Sequence, residues 1–142
     1  MEPKIFTLDK ARNALPLVKR IIEDIRERHE KIISLKKELS EFADNFADSF
    51  SQEEQEQILS IRREVETNLQ KFNECVEELR QIGVELKDPQ RGLIDFYSKH
   101  EDRLVYLCWE HGEDDIDYWH ELETGYTGRR PVSELAPEAG QS

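Results

Sequence analysis

A chain of 142 residues, with 37% charged and 37% hydrophobic side chains, can bury one modest core beneath a heavily charged surface, and it predicts a single domain. Its net charge of −12 opposes binding to nucleic acid and anionic lipid, and no apolar run approaches the length of a membrane-spanning helix. Cys75 and Cys108 stand far apart and outside any CxxC pair, which argues against a secreted disulfide framework; with no signal-like apolar segment near Met1, the expectation is a cytoplasmic protein.

The charge is unevenly spread: residues 1–50 are neutral, residues 51–100 carry −4 and residues 101–142 carry −8. Solubility alone explains such a bias, but it also makes the C-terminal part the place for a cation or a basic partner.

In chain order, Met1–Phe6 reads as an extended lead, and Thr7 as an N-cap with Asp9 in the first turn. Apolar residues then recur every seven positions. One row is Ala11, Val18, Ile25, Ile32, Leu39 and Phe46, and the other is Ala14, Ile21, Leu35 and Phe42, interrupted by Arg28. Pro16 removes the bond to the carbonyl of Arg12, so a short turn at 8–14 and a helix from about 15 to the mid-forties are expected. Residues 43–51 are turn-like, and Ser51 with Glu54 forms a capping box that starts a second helix. Its stripe is Ile58, Ile61, Val65, Leu69, Phe72, Val76, Leu79 and Ile82, and Gly83 ends it. The short loop predicts an antiparallel hairpin over about 8–82. The pairs Lys19-Arg20, Lys36-Lys37 and Arg62-Arg63 read as solvated helix faces.

Beyond Gly83, residues 84–91 read as a connector. Gly92–Tyr97 and Arg103–Trp109 read as strands joined by a five-residue loop. Ile116–Leu122 predicts a third strand, with Ile116, Tyr118, His120 and Leu122 on one face. The fold class is therefore mainly α: a coiled-coil-like helical hairpin with a two- or three-stranded antiparallel β-meander over about 92–130. Residues 133–142 are expected to be a disordered tail.

The openings Phe6-Thr7-Leu8 and Asn13-Ala14-Leu15-Pro16 resemble the start of a prokaryotic family of uncharacterised domains. So do Gly92-Leu93-Ile94-Asp95-Phe96, Leu107-Cys108-Trp109, Gly112-Glu113, Tyr118-Trp119-His120 and Gly125-Tyr126-Thr127-Gly128-Arg129, in that order. The resemblance spans roughly residues 5–132 and implies an envelope without an assigned activity.

Chemistry-bearing side chains crowd the β-rich segment, and three readings compete. His111, Glu113 and His120 offer imidazole and carboxylate donors for a divalent metal such as zinc, with Cys108 or Asp95 as additions, although the spacing matches no HExxH or paired CxxC template. Gly125–Arg130 could instead approach a polar ligand through Arg129, or Arg129 could pair internally with Asp95 or Glu113. Phe96, Trp109, Tyr118, Trp119 and Tyr126 fit a packed aromatic joint between sheet and hairpin. Cys108 has apolar neighbours in a strand, a poor setting for a nucleophile. The first functional expectation is a non-enzymatic interaction or scaffold protein that self-associates through its helices, a homodimer or with another protein partner. The alternative is a small metal-binding or metal-dependent enzyme with its site in the β-rich segment.

Overall fold

A computed structural model describes residues 4–45 and 50–135. Two helices, α1 (Leu8–Asn45) and α2 (Gln52–Ile82), form an antiparallel hairpin. Five strands follow: β1 (Val84–Asp88), β2 (Leu93–His100), β3 (Arg103–Glu110), β4 (Tyr118–Glu121) and β5 (Arg130–Pro131). They form one antiparallel meander in chain order. Two helical hallmarks written in the sequence are present. The Ser51 hydroxyl accepts from the Glu54 amide while Glu54 accepts from the Ser51 amide, and Gly83 closes α2 with a left-handed φ of 101°.

Helix α1 does not divide at Pro16; it runs unbroken from Leu8. The proline forfeits one backbone bond, but Ala11 and Leu15 before it and Val18, Ile22 and Ile25 after it bury against the same core. That continuous contact outweighs the local break. The stripe of α2 also differs from expectation at one position. Asn68 is buried at 7% exposure whereas Leu69 lies outside at 44%. Asn68 accepts from Arg28, the residue that interrupts the α1 row, so the two irregular positions meet in one polar layer. Phe46, residues 46–49 of the turn-like stretch, residues 1–3 of the lead and residues 136–142 of the tail lie outside the described residues.

The expected connector at 84–91 is largely strand β1, whose end is tied by Asp88 accepting from the amides of Gln90 and Arg91. The β2–β3 loop is shorter than expected. Only Glu101 and Asp102 turn the chain, both at positive φ (51° and 64°), the geometry that matches the right-handed twist of a two-residue hairpin. The lead joins the sheet too: the Phe6 amide donates to the Tyr97 carbonyl and the Ser98 hydroxyl donates to the Phe6 carbonyl.

Period-two alternation gives the sheet two unlike faces. Ile94, Phe96, Val105, Leu107, Trp109 and Trp119 pack on the hairpin with Leu15, Val18, Ile22, Ile25 and Leu79. The other face carries Asp95, Tyr97, Tyr106, Cys108, Tyr118 and His120, by their register in β2, β3 and β4. Ile116 precedes β4 rather than lying within it, and is buried in the core together with Trp119, which comes from within the strand. Basic residues of α1 hold the β loops against the helix. Arg12 donates to the Ile116 carbonyl, Lys19 to that of Asp114 and Arg26 to that of Gln90, so Lys19 is more than a solvated surface residue.

Candidate metal centre

Register dictates the site. Asp95 on β2 pairs with Cys108 on β3, and Cys108 pairs with Tyr118 on β4; one step along, Tyr106 pairs with His120. Asp95, Cys108 and His120 thus project from three neighbouring strands onto one face. They offer a carboxylate oxygen, a thiol sulfur and an imidazole nitrogen that all lie within 4.8 Å of one another. All three residues are buried, at 2%, 1% and 2% exposure respectively.

The His120 ring is held on both sides. His120 Nδ1 lies 2.8 Å from the Glu121 carbonyl, and Nε2 lies 3.1 and 3.2 Å from the two Asp95 oxygens. Both nitrogens face oxygen atoms, a setting that favours the charged ring. Burial works against that charge, but the hydrogen bonds to Asp95 and to the Glu121 carbonyl raise the His120 pKa above its ordinary value. Burial, followed by the Asp95 charge, pushes the Cys108 thiol up, while Arg129 pulls it the other way.

A stack of side chains borders the cluster. The Arg129 guanidinium lies 4.1 Å from the centre of the Tyr118 ring and 4.6 Å from that of Tyr126, and Arg91 lies 4.0 Å from Tyr126. Glu110 joins the stack by accepting from Arg91 Nε at 2.8 Å and from the Tyr126 hydroxyl at 2.9 Å. Arg129 Nη2 donates to both oxygens of Glu113, at 2.8 and 2.6 Å. Glu85 on β1, the register partner of Asp95, accepts from the hydroxyls of Tyr106 and Tyr97.

The residues singled out in the sequence are distributed as follows. His120, Asp95 and Cys108 converge. His111 stands apart, 2.7 Å from Glu23 and 3.3 Å from Arg26, in a cleft lined also by Lys19 and Trp109. Glu113 pairs with Arg129 and accepts from the Glu110 amide. Trp109 and Trp119 are core residues at 1% exposure, and Trp109 Nε1 donates to the Glu113 carbonyl. Tyr118 and Tyr126, expected in the aromatic joint with Phe96 and the two tryptophans, stack on Arg129 instead of entering the core. The sequence assigns no role to Tyr106 or Arg91; tyrosines alternating with ligand-type residues along β3 and β4 are the signal that points to the first.

Residues 4–132 match the model of the family described as "Uncharacterized conserved protein (DUF2203)". The chain belongs to that family. No curated protein and no solved structure matches it. The family description names no activity. Among the described residues, no helix is long and apolar enough to cross a membrane.

Proposed function

We propose that the protein binds one divalent metal ion through Asp95, Cys108 and His120, with zinc the best match. The observation that carries this reading is the convergence of three donors of the right kinds within 4.8 Å, from three strands held in fixed register. Thiolate, imidazole and carboxylate together suit zinc better than magnesium or calcium, which prefer oxygen. Charge supports the exchange. A divalent ion displaces the thiol proton and offsets the negative charge of a buried thiolate beside a buried carboxyl group. Three protein donors also leave a fourth position open on a tetrahedral ion, the arrangement used where the metal takes part in chemistry.

Elemental analysis and zinc titration of protein prepared without an affinity tag test the proposal. One equivalent of tightly held metal is expected in the wild type, with Cys108→Ser and His120→Ala each losing affinity by at least tenfold. Wild-type protein that neither carries nor takes up metal at micromolar zinc overturns it.

A second reading, self-association through the hairpin, is favoured by one observation. Ile32, Leu35 and Ile61 are buried between the helices but lie outside the core shared with the sheet. With so few buried apolar side chains among the described residues, such a two-helix stretch gains stability from a second hairpin. Light scattering across micromolar concentrations should show a dimer, and a monomer throughout removes this reading.

A further inference from the structure

Arg129 has more donors than it has partners. Only 10% of its side-chain surface is exposed, its Nη2 is held by Glu113, and its Nε finds no acceptor among the described residues. A guanidinium keeps its charge and all five N–H groups, so a buried N–H without an acceptor carries a desolvation cost that a ligand would relieve. The position is specific. Arg129 stacks on Tyr118, and Tyr118 is the register partner of Cys108, so the guanidinium lies on the face that holds the three donors. Tyr118, Tyr126 and Glu113 fix it from three directions, and it therefore meets a ligand already oriented.

We infer that Arg129 and the metal held by Asp95, Cys108 and His120 form one binding site for a small anion, which takes the open metal position and accepts from Arg129 Nε. This rests on the metal-binding proposal. The ligand class is a compact monoanion with a lone pair for the metal and an acceptor for the guanidinium: hydroxide, a small carboxylate or a pseudohalide. The unassigned N–H favours an anion over a neutral amine, which would bring no acceptor for a cationic donor.

The test uses the full chain loaded with cobalt(II), whose visible bands report coordination number and whose thiolate charge-transfer band reports Cys108. Azide is the probe. Saturable changes in the visible bands are expected for the wild type. Azide affinity should fall at least tenfold in Arg129→Gln, and also in Arg129→Lys, which keeps the charge but lacks the fork. An intact cobalt spectrum that azide leaves unchanged overturns this inference and leaves metal binding standing. So does equal azide affinity in the wild type and both variants. A wild type with no thiolate charge-transfer band overturns the metal reading and the anion site with it. The wild-type titration decides by itself should either variant fail to fold.

Discussion

Gly92 shows how much of the molecule rests on single positions. It enters β2 at a φ of 64°, and a Cβ there would lie 2.7 Å from the Cβ of His111 and 2.9 Å from Cγ2 of Ile22. Side chains seldom adopt that backbone conformation, and neither neighbour is a free end that can swing away. Gly92→Ala should destabilise the fold by about 2–3 kcal/mol, read as a lower urea midpoint with unchanged slope. Glu85 gives a prediction in pH. Burial opposes its charge, but hydrogen bonds from Tyr106, Lys87 and Tyr97 hold its pKa below the usual carboxylate value. A depressed folded-state pKa contributes stability that is present above the unfolded value and lost as pH falls through the folded one. With 40% of the side chain in water the effect is about 1 kcal/mol at most. Thermal melts from pH 7 down to pH 3 should therefore fall less steeply for Glu85→Gln than for the wild type, and parallel curves would sink this assignment.

At the scale of elements, the helices were far more legible than the site. The α1 heptad rows as far as Leu35, the Ser51 capping box and Gly83 each have a local physical cause, and the folded chain keeps them. Asn68 and Arg28 were harder, because only the partner helix reveals that Asn68, and not Leu69, enters the seam. Asn68→Ala should cost about 1 kcal/mol by stranding the Arg28 donor, whereas leucine at both positions should raise the urea midpoint and loosen the hairpin register. The metal donors were obscured by one turn. A loop spanning 98–102 would set Asp95 opposite Val105 and put Cys108 on the other face. The actual Glu101-Asp102 turn sets Asp95 opposite Cys108. Positive φ at two charged residues is not a pattern that composition announces, since Asn-Gly or Asp-Gly is the usual signature. His120 was legible as a donor, but its partners depended on a register that is settled only when the hairpin closes.

For the whole molecule, the sheet is a sandwich filling with different demands on its two sides. One side is packed by the hairpin, and the other holds a buried polar cluster bordered by stacked arginines and tyrosines. If an ion binds the folded chain and not the unfolded one, added zinc at a hundredfold excess over Kd should stabilise the protein by about 2.7 kcal/mol. That appears as a higher melting temperature, abolished in Cys108→Ser. The strand alternation has one more consequence. Asp95 adjoins Phe96, Cys108 adjoins Trp109, and His120 adjoins Trp119, so every donor is one peptide bond from a buried aromatic ring on the opposite face. Two of those rings are the chain's two indoles. The protein thus contains its own optical probe: cobalt at the site would sit within a few residues of both fluorophores and quench them without any label, and the loss of light would track occupancy ion by ion.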